Sequence, residues 1–178
     1  EESAEPVTAD PAAGEALSNR LTVNISTTAL EEYDPNTGEE LILSFVYAEP
    51  HVDIQGRDAA SSAINEYLGL LAETYYTGND HGVGSATGYT LMLQQAQDNY
   101  SYVYGTGAEG VPLEFVSSQN VRIERADSSL LSMVYNSYEF TGGVHGNSVE
   151  RAYVFDTETG ERLSLSMLTD DYDGEEGL

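Results

Sequence analysis

An α+β fold with a mostly antiparallel sheet is predicted by three features of this chain. Residues 21–47 alternate as two strands around a turn. Residues 58–76 carry one unbroken helical stripe. After residue 113 the chain breaks into strand-length alternating segments. The order is an N-terminal hairpin, one or two helices packed on one face, and a C-terminal β-meander.

Leu21 to Thr27 has the period of a half-buried strand. Asp34-Pro35-Asn36-Thr37-Gly38 has turn chemistry, since proline presets φ and glycine accepts φ > 0. Leu41 to Tyr47 reads as the partner strand, and Pro50 is expected to end or bend it because proline cannot donate to a ladder. Asp58 is the expected N-cap of a helix running to about Tyr76. Ile64, Leu68, Leu71 and Tyr75 form its apolar stripe, and the segment from Gly78 to Gly82 stops it.

Residues 89–104 fit two periods. Met92, Ala96, Tyr100 and Val103 suit a helix, whereas Tyr100, Tyr102 and Tyr104 alternate as in a strand. A helix to about Tyr100 is the favoured reading. Strands are expected at 113–117, 120–125, 130–140, 148–156 and 162–165, with Asp156 to Gly160 as a hairpin loop. That loop resembles Asp34 to Gly38, a composition on which two hairpin turns can converge without an internal repeat.

Residues 1–19 read as a flexible acidic linker, 20–170 as a single domain and 171–178 as an acidic tail. The chain opens on Glu1 and not on methionine, which suggests a processed or trimmed product. No run of about 18 apolar residues is present.

Composition narrows function by exclusion. The 178 residues are 40% hydrophobic, enough for a core, and carry 31 acidic against six basic side chains, a formal net charge of −25. All six basic residues are arginine, so Schiff-base and Walker-type lysine chemistry have no candidate. A phosphate backbone or an anionic membrane surface would be repelled, and a cationic partner attracted. The same charge also suits a simple solvated, self-repelling surface. Without cysteine there is no disulfide, thiolate or thiolate-ligated metal.

The segment Gly142-Gly143-Val144-His145-Gly146, entered from Tyr138, is the candidate ligand-binding turn. Its glycines let the backbone approach a ligand closely and His145 offers an imidazole. The competing and favoured reading is structural, with the glycines relieving a bend and His145 bonding a neighbouring loop. His51, His81 and His145 are too scattered to suggest a metal site, and no cofactor is expected. Asp171 and Asp173 hint at a calcium loop but lack its first and last ligand positions. The string Gly105-Thr106-Gly107-Ala108-Glu109-Gly110 precedes a strand where a dinucleotide loop would open a helix. No nucleophile elbow is present, and among 31 carboxylates the sequence nominates no catalytic pair. Thirteen tyrosines without tryptophan suit either a contact surface or half-buried sheet faces, the latter for most of them.

Two regions carry a family resemblance. Tyr138-Glu139-Phe140-Thr141-Gly142-Gly143-Val144-His145 leads through an Asp156-to-Gly160 hairpin into Leu163-Ser164-Leu165. Tyr47-Ala48-Glu49-Pro50-His51 precedes a helix bearing Ile64-Asn65. Together they resemble the extracellular domain family of the anti-sigma factor RsiV and the peptidoglycan deacetylase PdaC, over roughly residues 21–170. The family usually continues past this point into further helix and strand, so this chain is expected either to be truncated or to lack those elements. The resemblance implies a non-catalytic recognition domain outside the cytoplasmic membrane, tethered in the full-length protein and exported, for instance as a lipoprotein. Its implied partner is a cationic protein such as lysozyme, or a cell-wall glycan. The alternatives are an accessory peptidoglycan-targeting domain of a wall-modifying enzyme and a carboxylate-dependent glycan hydrolase.

Overall fold

Alternating residues carry the chain out and back before any helix forms. β1 (Leu21–Tyr33) pairs antiparallel with β2 (Leu41–Ile54) over their whole lengths. Two helices follow, α1 (Asp58–Thr77) and α2 (Tyr89–Thr106). β3 (Phe115–Ala126), β4 (Leu130–Phe140), β5 (Asn147–Asp156) and the short β6 (Arg162–Leu163) complete the chain order. The six strands form one sheet in that same order. Only β2 and β3 run parallel, and they meet over just Leu43–Val46 and Phe115–Ser118. The structure is a computed structural model describing residues 20–79, 81, 83, 86–108, 114–164 and 167. The expected linker 1–19, the tail 171–178 and the start of the strand expected at 113 lie outside the described residues.

The mostly antiparallel α+β architecture is the predicted one, with corrections in detail. Pro50 does not end β2, which continues to Ile54. Proline lacks its N–H on the edge facing away from β1, where β2 has already parted from β3 and no ladder bond is lost. That bare edge is closed by α1 instead. Asn65 accepts from the Val52 N–H (2.8 Å) and donates to the Val52 carbonyl (2.8 Å), while Ser61 Oγ accepts from the Ile54 N–H (2.9 Å). Two side chains thus replace a strand.

Asp58 is the first helical residue and Arg57 takes the N-cap position, with no side-chain cap bond. The Asp58 carboxylate still sits in the first turn, where the helix dipole favours it. α2 runs past Tyr100 because the Tyr104 ring packs on the Tyr100 ring at 4.3 Å, the i, i+4 spacing of a helix. The two strands expected at 113–117 and 120–125 are one continuous β3, and the last strand is only Arg162–Leu163.

Two apolar clusters hold the layers together. Ile64, Leu68 and Leu71 of α1 bury against Val52 and Ile54 of β2 and against Leu131, Met133 and Phe155 of β4 and β5. Each such side chain contributes roughly 1.5–3 kcal/mol. Met92, Ala96 and Tyr100 of α2 bury against Leu43, Phe45 and Phe115.

The far end of the sheet is locked to the start of α1. Arg57 donates to the Ser128 carbonyl (2.8 Å) and the Thr157 carbonyl (3.1 Å), joining the β3–β4 and β5–β6 turns. Gly160 has φ +80, and a Cβ there would lie 2.6 Å from the Ala60 carbonyl oxygen, so the hairpin presses directly on the helix. Fully buried Thr157 donates to the Asp127 carbonyl at 3.3 Å. Thr157→Val keeps the shape and loses that bond together with the 3.4 Å one its hydroxyl accepts from Arg57, and its expected cost is about 1 kcal/mol in a urea unfolding curve.

Candidate functional site

Along β4 the inward-facing residues read Leu131, Met133, Tyr135, then Ser137 and Glu139. The row changes from apolar to polar where α1 ceases to cover it. On β3 the neighbouring inward residues are the buried Ser117 and Gln119. On β5 the cross-strand partners are Arg151 opposite Tyr135, Val149 opposite Ser137 and Asn147 opposite Glu139. These strands floor a cleft of about 600 Å³, walled by the last turns of α1 (Leu71, Thr74, Tyr75) and by Val83, Ala86 and Thr87.

The cleft's hydroxyls and amide are partly committed. Tyr75 Oη and Ser117 Oγ share a 2.6 Å hydrogen bond, and Thr87 Oγ1 donates to Glu139 Oε2 at 2.9 Å. Burial, with the Glu139 charge adding to it, pushes the Tyr75 phenol up to about 12 despite the Ser117 bond. Burial likewise raises Tyr135 and Tyr153. Both phenols therefore stay neutral hydrogen-bonding groups at any physiological pH.

The glycine turn stands at the rim of this cleft. It joins Phe140 to Asn147, and Glu139 and Asn147 on either side of it line the cleft. Gly142 (φ +79) and Gly143 (φ +138) make the bend, and Val144 is fully exposed at its tip. His145 is exposed, and its Nδ1 lies 3.2 Å from the Gly146 carbonyl. Tyr138 packs directly against Gly146, where a Cβ would lie 2.5 Å from the ring. Gly142, Gly143, His145 and Gly146 thus share one turn, with Tyr138 of β4 packed against it. None of the five is among the described residues lining the cleft.

A second surface surrounds the β1–β2 turn and α2. Asp34, only 2% exposed, accepts from the backbone N–H groups of Asn36, Thr37, Glu39 and Glu40, from Thr37 Oγ1 (2.6 Å) and from Tyr100 Oη (3.0 Å). The Thr37 hydroxyl leads in holding the Asp34 carboxyl far below the usual carboxylate range, against the opposing effect of burial. Around it Tyr33 donates to Glu31, Tyr89 to Glu32 and Tyr104 to Glu40. Burial and then Glu32 push the Tyr89 phenol up to about 12. Tyr33, Tyr76, Tyr102 and Tyr104 remain exposed, so this end of the molecule presents phenol rings among carboxylates.

The arginines do little to offset that charge. Arg57 is spent on carbonyls, Arg122 pairs with Glu124 and Arg125 with Asp127. Arg162 lies 5.5 Å from the centroids of both the Tyr67 and Tyr153 rings. His51, His81 and His145 lie on β2, after α1 and in the glycine turn, and His81 sits 3.7 Å from Glu73. Among the described residues no group of three His, Asp or Glu side chains converges as a metal site would require.

Sequence reading nominated the turn at the rim but none of the cleft. The usable signal was parity: Ser117, Gln119, Ser137 and Glu139 occupy inward positions of strands whose other inward residues are apolar. The tyrosine–carboxylate pairs bring together residues as far apart as Glu40 and Tyr104, which no local pattern reveals.

No protein-family model matches this chain, and no curated protein matches it. Among solved structures it is similar to a DUF3298-family protein of Bacteroides fragilis, with a TM-score of 0.61 at 14% identity. The match covers 82% of this chain and 60% of that one. A DUF3298-family protein of Pseudomonas aeruginosa matches at a TM-score of 0.46 and 16% identity, covering 82% of this chain and 56% of that one. At these identities the likeness is one of fold, and the chain spans well under two thirds of either protein.

Proposed function

We propose that this chain is a non-catalytic recognition domain of a bacterial cell-envelope protein, and that it captures a cationic protein partner of the lysozyme kind. The observation that carries this reading is the distribution of charge. The formal net charge is −25 with all six arginines counted, and at the β1–β2 turn Glu31, Glu32 and Glu40 are bonded to tyrosine hydroxyls. Exposed tyrosines lie beside the acidic groups at the β1–β2 turn and α2, giving contact area where the field would steer a basic surface. The DUF3298 description of the similar structures supports a kinship with the RsiV and PdaC domains, in which an exported, tethered placement is the rule. A binding role is favoured over glycan hydrolysis because Glu139 is the single carboxylate among the described residues lining the cleft, and glycoside cleavage uses a pair.

The test is association with egg-white lysozyme, followed by surface plasmon resonance. Between about 10 mM and about 1 M salt the association rate is expected to fall at least about tenfold. An anionic protein of similar size should not bind. Absence of lysozyme binding at the lower salt removes the reading.

A further inference from the structure

We propose that the cleft between α1 and the polar half of β3–β4–β5 is a binding site for an uncharged saccharide of one or two rings. It is separate from the acidic tyrosine surface assigned above to a protein partner. Three observations converge on it.

The first is unmet hydrogen bonding. Among the described residues four buried side-chain atoms have no hydrogen-bond partner, and three of them, Thr74 Oγ1, Gln119 Oε1 and Tyr135 Oη, belong to this cleft, the fourth being Tyr67 Oη in the apolar core. All three residues line this one cleft, and they are 4%, 8% and 3% exposed. Gln119 reaches Ser137 only through a long 3.5 Å bond from Nε2. Native folds keep few such groups, since each costs about 1–3 kcal/mol when left without a partner. Two hydroxyls and an amide oxygen grouped at one cavity suit a ligand whose groups both donate and accept, which is the chemistry of sugar hydroxyls.

The second is charge. Glu139 and Arg151 are the acidic and basic members of the described lining, in a chain with five times as many acids as bases. The Glu139 carboxylate already takes the Thr87 hydroxyl. Asn147, Ser148, Ser137 and Gln119 supply neutral donors and acceptors beside them. A polyanion would be repelled by the whole molecule, and the lining itself offers a cation little preference over a neutral polyol.

The third is shape and aromatic surface. A cleft of about 600 Å³ is in the range that encloses small ligands. The rings of Tyr75, Tyr135 and Tyr153 give it apolar patches against which the C–H faces of a sugar can lie.

The probes are cellobiose, maltose and N,N′-diacetylchitobiose, with a sulfated disaccharide as the charged control. Each is titrated into the ¹⁵N-labelled chain. At least one neutral disaccharide should shift the amides of Gln119, Ser137 and residues 147–151, equally at low and high salt. The sulfated sugar should not. Gln119→Leu and Thr74→Val should weaken that binding at least tenfold while the free protein melts no lower, because an orphaned polar group has been replaced by an apolar one. Exposed Asn147→Ala, which cannot unfold the sheet, should weaken it as well. The proposal fails if no neutral sugar shifts these amides at millimolar concentration. It fails equally if binding survives all three substitutions, or if Gln119→Leu and Thr74→Val lower the melting temperature, as expected for a cleft that merely holds structural water. Salt-independent sugar binding and salt-sensitive lysozyme binding are separately readable, so either proposal can fall without the other.

Discussion

Replacing Asp34 by alanine is expected to lower the unfolding free energy by about 4 kcal/mol. The reason is the number of donors that converge on one buried carboxylate. Four backbone N–H groups, the Thr37 hydroxyl and the Tyr100 hydroxyl all lose their acceptor together. Asp34→Asn should cost somewhat less, about 2–3 kcal/mol, because its amide oxygen keeps some of those bonds while its NH₂ is turned against donors. The urea midpoint with an unchanged m-value is the measurement. A loss under about 1 kcal/mol for Asp34→Ala would show that the turn is not the anchor described above.

The same carboxylate sets an acid limit. Its folded-state acidity lies far below that of an unfolded aspartate, with the Thr37 hydroxyl as the first cause. The unfolded chain therefore binds a proton first as pH falls, and the stabilisation is present above about pH 4 and drains away below it. Asp156 is shifted in the same direction by the Thr159 N–H and then, against burial, by the Glu158 N–H. Stability measured from pH 6 downward should thus fall below about pH 4, and the Asp34→Asn variant should show a shallower decline.

Asn65→Ala is the second large expectation, at about 3 kcal/mol. Val52 is fully buried, and its N–H and C=O both depend on the Asn65 amide. Among the described residues no strand stands beyond them, because β3 pairs with β2 only as far as Val46. Removing the amide leaves two buried backbone groups without partners, at about 1–3 kcal/mol each before water enters. Hydrogen exchange localises the effect. The Val52 amide should lose protection beyond the global change, while Ile54, bonded to Ser61, should follow the global change. Equal protection at Val52 in both proteins would overturn the edge-sealing role.

The same pair, Ile64-Asn65, carried part of the family resemblance, and the structure gives it a physical meaning. Ile64 was legible as a stripe residue from its spacing. The task of Asn65 was not, because its partner lies on another element. Pro50 shows the converse. Proline chemistry said that β2 should end or bend there, yet the strand continues, because the missing N–H falls on an edge with no strand neighbour among the described residues. The tyrosine repeat at 100, 102 and 104 mimicked a strand, and packing of Tyr104 on Tyr100 decided for the helix.

The two Asp-x-x-Thr-Gly turns were legible as hairpin loops and fold alike. In each, the aspartate side chain accepts from the next two residues but one, and its carbonyl accepts from the glycine. Their environments differ, and so do their weights. Asp34 is sealed under α2 by Tyr100, whereas Asp156 is half-exposed. Local sequence wrote the bond pattern, and neighbouring elements set its energetic value.

Periods of two and 3.6 residues, together with turn chemistry, determined from sequence alone that this chain builds a hairpin, an amphipathic helix and a meander, and composition determined that its surface is strongly anionic. Those properties depend on each residue and its near neighbours along the chain. Only the tertiary structure decided that β2 and β3 would meet for four residues and part, that α1 would seal the exposed edge, and that the polar ends of β3, β4 and β5 would be left facing inward as a cleft. These depend on where one element stops covering another, a distance in space that the order of residues does not state.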